Sequence, residues 1–153
     1  MLKATPMPLI RAALTDPDYG FDISDECGHT LRMDIPVDQG GGGTGFRPMQ
    51  TLLAALCGCS GVDIVSILQK QRQSMTGLEI EVDAARATGG DVALWETIDL
   101  HFHITGEVLP DKAWRAVQLS IDKYCSVAET LRRAGARIVW QLSVNGRLVP
   151  AEV

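Results

Sequence analysis

Hydrophobic positions along this chain follow two patterns, one nearly continuous and one alternating. The continuous stretch runs from Pro48 to Leu68 and gives way to the polar segment Gln69-Lys70-Gln71-Arg72-Gln73. It predicts one long helix. Pro48 suits the first turn, where its missing N–H would be unpaired anyway, and the basic residues at the far end complement the negative end of the helix dipole. Wound at about 100° per residue, the run places Leu52, Ala55, Leu56, Cys59, Val62, Asp63 and Ser66 on one face. Leu53, Ala54, Cys57, Gly61, Ile64 and Leu68 fall on the other. Both faces are largely apolar, so both are expected to be covered. A membrane span needs roughly twenty apolar residues without interruption. Asp63 and several small polar residues interrupt this run, which favours a central core helix over a membrane anchor. Gly58 and Gly61 each weaken a helix interior by about 1 kcal/mol against alanine, and so predict a close neighbour or a kink beside Cys59.

The alternating pattern predicts strands. Leu78 to Ala84 and Ile98 to Ile104 alternate apolar with polar residues, as half-buried strands should, and together suggest a long hairpin. Shorter runs at Pro8–Leu14, Tyr19–Ile23 and His29–Ile35, separated by Asp-Pro and Cys-Gly turn signals, predict an antiparallel meander. Pro110 opens a second helix through about Tyr124, with Trp114, Val117 and Ile121 at helical spacing, and Ser126 to Ala134 reads as a short third helix. Ile138 to Val144 is the closing strand. Between the meander and the long helix, Pro36 to Gly45 carries four consecutive glycines and reads as a flexible connection. Strands, long helix, strands, two helices, strand: this order predicts an α+β fold, with helices on one face of antiparallel sheet.

With 153 residues, 46% of them hydrophobic and 22% charged, the chain supports one domain spanning 1–153 with a substantial core. A net charge of −5 argues against nucleic-acid binding, because the counterion release that drives such binding needs clustered Lys and Arg. No hydrophobic signal core or membrane segment is evident in the opening residues Met1-Leu2-Lys3-Ala4-Thr5-Pro6. A reducing cytoplasm is therefore the expected home of the four cysteines, 27, 57, 59 and 125. One apolar helix is a great deal for a single subunit to cover on both sides, so a homodimer is expected.

Candidate chemistry centres on two thiols. Cys57 and Cys59 are two apart, which on a helix separates their directions by about 200°, so they do not face one ligand together. Cys57 reads as packing, since free cysteine behaves as a small hydrophobe. Cys125 precedes Ser126-Val127-Ala128-Glu129 at a helix start, where backbone amides favour a thiolate. His101 and His103 alternate onto one strand face and could chelate a metal; no third ligand is apparent along the sequence, and a polar pair facing solvent with no metal is the expectation. Gly40 to Gly45 lacks the Lys-Ser/Thr pair of a phosphate cradle and reads as a mobile hinge. Cys27 sits at a turn with no assigned role.

Taken together, the glycine-rich segment, Arg47-Pro48-Met49-Gln50-Thr51-Leu52-Leu53-Ala54-Ala55-Leu56-Cys57-Gly58-Cys59-Ser60, then Asp63-Ile64-Val65-Ser66-Ile67-Leu68, then Thr76-Gly77-Leu78-Glu79-Ile80, resembles the OsmC/Ohr superfamily. Lys123-Tyr124-Cys125-Ser126-Val127 resembles the segment that carries that superfamily's second cysteine, so the likeness covers about Asp34 to Val144. The resemblance implies antiparallel sheets around a long central helix in an intertwined homodimer. It implies an antioxidant, stress-response peroxidase without a bound cofactor, in which Cys59 is peroxidatic, Cys125 resolving, and an external dithiol such as dihydrolipoamide the reductant. Superfamily peroxidases also use an arginine to stabilise the thiolate and a glutamate after the helix-opening proline to orient it. Here Met49 stands at the glutamate position, which points to the OsmC-like branch rather than the Ohr branch proper. Arg11, Arg32, Arg47 and Gln50 are the candidate thiolate stabilisers. The alternative is an OsmC-like binding or redox-sensing module with little turnover.

Overall fold

The structure is a computed structural model that describes residues 9–15 and 17–151. Pro8, the first residue of the expected opening run, and the opening hexapeptide lie outside the described residues. The chain divides into two compact units, Met1–Leu52 and Leu53–Val153.

In the first unit, β1 (Arg11–Leu14), β2 (Phe21–Ser24) and β3 (Thr30–Met33) form the expected antiparallel meander, in the order β1-β2-β3. The β2–β3 turn is built on Asp25, whose Oδ1 accepts the N–H groups of Cys27 and His29 at 2.9 Å each. The His29 imidazole lies 2.7 Å from Oδ2, and this hydrogen bond holds the Asp25 carboxyl below its usual range.

The glycine-rich connection is a fixed wrap, in contrast to the mobile hinge expected from composition. A short 3-10 turn at Val37–Gln39 opens it. Buried Asp34 then accepts the Thr44 N–H at 3.0 Å, the Thr44 hydroxyl at 2.8 Å and the Ile35 N–H at 2.7 Å. These bonds, the Thr44 amide foremost, hold its carboxyl at about 2. Glycine is required because the loop hugs its own backbone: a Cβ on Gly41 would stand 2.2 Å from the Ile35 carbonyl oxygen, and one on Gly45 2.5 Å from that of Arg32. Composition signalled conformational freedom; the glycines serve close approach instead.

Helix α1 (Pro48–Lys70) has the expected limits and crosses from the first unit into the second. By length and composition it could cross a bilayer. Its buried residues, however, form an i, i+4 stripe of Leu56, Ser60, Ile64 and Leu68, and the apolar members of that stripe join the second unit's core. The two-sided burial expected from the sequence is therefore one-sided within the second unit, with Val62 71% exposed. Gly58 has nothing within 4 Å of where a Cβ would sit, and Gly61 meets only Ile80 and Leu78 at 3.5 and 3.8 Å. No segment of the second unit presses on α1 at Gly58.

The second unit's sheet is ordered β4-β5-β6-β7. The hairpin of β4 (Ser74–Arg86) and β5 (Trp95–Glu107) is antiparallel, as its alternation predicts, and longer than expected at both ends. Strand β6 (Arg137–Val144) pairs with β5 in parallel, so the sheet is mixed. The physical reason is the helical crossover between them, since parallel neighbours need a long connection that returns the chain to the starting end. Strand β7 (Arg147–Val149) closes a tight hairpin through Asn145 and Gly146, both at positive φ (49° and 76°). Along β5, Ile98, Leu100, Phe102 and Ile104 point into the core, which leaves His101 and His103 on the opposite face.

The crossover consists of α2 (Pro110–Leu119), a π turn at Ser120–Tyr124 and α3 (Ser126–Arg133). The expected second helix thus loses its α geometry in its last turn. Val117 and Ile121 are buried as their spacing predicts, and Trp114 packs half-buried against the core, 4.4 Å between ring centroids from Trp140.

Candidate functional site

The π turn matters because it sets Cys125. Its closing bond runs from the Cys125 N–H to the Ser120 carbonyl at 2.8 Å, one residue wider than an α bond. Backbone then leaves the helix at Cys125 (φ −69°, ψ 103°) and re-enters at Ser126, making Cys125 the N-cap of α3. Its sulfur accepts the Ala128 N–H at 3.4 Å. From α3, Arg132 reaches back to pin the turn, donating from Nη1 to the Ile121 carbonyl at 2.7 Å and approaching Asp122 Oδ1 at 3.4 Å. Nothing in the periodicity marks Arg132 for this task.

The structure brings the two predicted thiols together. Both cysteines are free, Cys59 half-buried on α1 and Cys125 buried, and their thiols are close enough to perturb one another. The sequence reading expected the α3 amides to favour a Cys125 thiolate. Those amides do act in that direction, but burial acts more strongly and, with the neighbouring Cys59 thiol, pushes Cys125 up to about 11. Cys125 is thus a neutral thiol near neutral pH. Cys57, two residues from Cys59, is also raised by burial, in keeping with a packing role.

Polar groups next to the thiols are internally satisfied. Ser60 donates its hydroxyl to the Leu56 carbonyl at 2.8 Å. Buried Ser120 lies 3.2 Å from the Ser60 carbonyl and 3.1 Å from Asp63 Oδ2, so the Asp63 carboxylate is held by the crossover. Sequence reading singled out neither serine; Ser120 could only be found once the π turn was known.

The four candidate thiolate stabilisers all belong to the first unit. Gln50 is engaged as a cap: its Oε1 accepts the Arg47 N–H at 3.2 Å, the N3-to-N-cap half of a capping box. Arg32 binds Asp22 Oδ1 at 2.9 Å, Thr44 Oγ1 at 3.2 Å and the Thr15 hydroxyl. Arg11 is exposed on β1, opposite Ser24, and Arg47 is exposed ahead of α1. The first turn of α1 contains no acidic residue, as the Met49 substitution implies.

One further cluster gathers possible metal ligands. On the outer face of the second unit's sheet, Glu81, His101 and His103 present ligand atoms all within 4.8 Å of one another. Glu81 is the third possible ligand, which the sequence did not reveal. The hairpin register, which sets Glu81 opposite His101, was the signal that could have found it.

Comparison with known proteins agrees with this architecture. Residues 40–141 match the family model described as OsmC-like protein. Protein YhfA of Escherichia coli K12 is 44% identical over 101 residues, covering 65% of this chain and 75% of YhfA. A hypothetical protein from Aquifex aeolicus superposes with a TM-score of 0.75 at 25% identity, over 92% of this chain and 99% of its own. A Legionella pneumophila structure described as an organic hydroperoxide resistance protein OsmC gives 0.70 at 19% identity, over 93% and 100%; at that identity the likeness speaks to fold alone. On the strength of the family match and the YhfA relationship, this α+β chain belongs to the OsmC-like protein family.

Proposed function

We propose that this protein is a cysteine-based peroxidase that reduces organic hydroperoxides. The observation that carries this reading is the meeting of the Cys59 and Cys125 thiols. In the first step the Cys59 thiolate attacks the terminal peroxide oxygen; the O–O bond breaks, Cys59 becomes a sulfenic acid, and the departing alkoxide takes a proton from solvent to leave as the alcohol. Cys125 then displaces water from that sulfenic sulfur, forming the Cys59–Cys125 disulfide. An external dithiol such as dihydrolipoamide exchanges with the disulfide and returns both thiols, so no bound cofactor is needed. A neutral Cys125 suits this division of labour, because it leaves Cys59 as the first nucleophile. The cation that stabilises the Cys59 thiolate would come from Arg11, Arg32 or Arg47. Arg32 is favoured because the Asp22 carboxylate already orients it, the task that Met49 cannot perform.

The reading includes a homodimer, supported by the apolar side of α1 left uncovered within the chain at Gly58, Val62 and Val65, beside Leu78 and Ile80 of β4. It also includes a cytoplasmic location, supported by four free cysteines. The test is peroxide consumption coupled to dihydrolipoamide: Cys59→Ser is expected to abolish it, and undiminished turnover would reject the proposal. A second reading, a binding or redox-sensing module with little turnover, is favoured by Met49 and by the same apolar groove. Wild-type protein that consumes no peroxide, together with a Cys59→Ala variant that still retains an apolar ligand, would decide for it.

A further inference from the structure

We propose that Glu81, His101 and His103 form a binding site for a divalent transition ion, with Zn²⁺ as its representative, on the sheet face turned away from the thiols. The site is set by strand register. His101 and His103 project from one face of β5, their ring centroids 3.9 Å apart. Glu81 stands opposite His101 on β4, and Ser143 opposite His103 on β6.

Three observations converge on a cation. First, His103 Nε2 faces Glu81 Oε2 at 3.0 Å while its Nδ1 faces the Ser143 hydroxyl at 2.8 Å. Without an ion, Nε2–H donates to Glu81 and Nδ1 accepts from the Ser143 hydroxyl; with Nδ1–H donating to Ser143 instead, the Nε2 lone pair and the carboxylate are left facing one another and can share one cation. That tautomer is also the one in which a metal-bound imidazole is held by an outer hydrogen bond. Second, His101 Nε2 is buried and has no hydrogen-bond partner among the described residues, and an orphaned buried polar atom is destabilising unless something engages it. Third, the donor set of two imidazoles and one carboxylate suits Zn²⁺ and its neighbours rather than Mg²⁺ or Ca²⁺, which take oxygen.

The geometry is within reach. Ligands about 2.0–2.1 Å from a tetrahedral ion lie about 3.3 Å apart. The Glu81–His103 pair is already that close, and the remaining separations, at most 4.8 Å, close by rotation of the exposed Glu81 side chain and the imidazoles. Three protein ligands leave the fourth position to water. This cluster uses none of the groups assigned to peroxide reduction.

The test titrates the reduced, full-length protein with ZnCl₂ while following the imidazole ¹⁵N resonances by NMR, with calorimetry on variants in parallel. The first equivalent per chain is expected to move the His101 and His103 resonances together and leave His29 in place, in the wild type and in Cys59→Ser alike. His101→Gln and His103→Gln should each weaken binding at least about tenfold, and Ser143→Ala, which removes only the outer hydrogen bond, by about tenfold. Imidazole resonances unmoved at one equivalent, or zinc captured by the thiols alone, would overturn the proposal. So would unchanged affinity in both histidine variants. The wild-type spectra decide the matter even if a variant fails to fold.

Discussion

At the scale of single residues, burial and not helix position sets the chemistry of the second thiol. A helix start favours negative charge, and Cys125 sits at one. The sequence therefore favoured a reactive thiolate, and what periodicity could not reveal was how deeply the π turn carries this sulfur into the core. With Cys125 raised from 9.0 to about 11, folding favours its neutral form. The stability this contributes is fully present below about pH 9 and is lost as pH rises through about 11. Alkylation of the reduced protein with iodoacetamide should accordingly modify exposed Cys27 before Cys125 at neutral pH, with Cys125 reacting slowly until the solution approaches pH 11. Equal rates at Cys27 and Cys125 at pH 7 would contradict the assignment.

At the scale of elements, much of the fold was legible because local and tertiary preferences agree. Pro48 and the basic tail marked both ends of α1, and strict alternation marked the β4–β5 hairpin. The places that misled are those where a residue type serves two physical ends. Glycines 41 and 45 read as freedom and prove to be close packing around Asp34. The parallel β5–β6 pairing was implied by the two-helix crossover, and β7 by Asn145-Gly146, but a three-residue strand is too short to show a period. In the candidate site, both thiols were legible, whereas Ser120, Arg132 and Glu81 depend on the π turn and on hairpin register. Gly58 is the informative case: no described residue of the second unit lies within 4 Å of where its Cβ would sit. In an isolated subunit Gly58→Ala should stabilise α1 by up to about 1 kcal/mol, read as a higher denaturation midpoint. A lowered midpoint would show that something packs directly onto that glycine.

At the scale of the whole molecule, the uncovered side of α1 supports a homodimer. Within the second unit only the stripe through Leu56, Ser60, Ile64 and Leu68 is buried on α1, and an apolar side left exposed at Val62 and half-buried at Val65 favours association. If a second copy covers it, Val62→Asp places an uncompensated charge in the interface. Sedimentation at micromolar concentration should then change from dimer to monomer. A wild type that sediments as a monomer would remove the dimer from the account.

The central claim is that Cys59 and Cys125 exchange electrons as a pair, and mass spectrometry of the intact, then digested, protein after substoichiometric organic hydroperoxide tests it most directly. The account predicts one new crosslink, between the peptides carrying Cys59 and Cys125, with Cys27 and Cys57 still free thiols. Oxidation that accumulates on Cys27 or Cys57, with Cys59 and Cys125 unlinked, would contradict it.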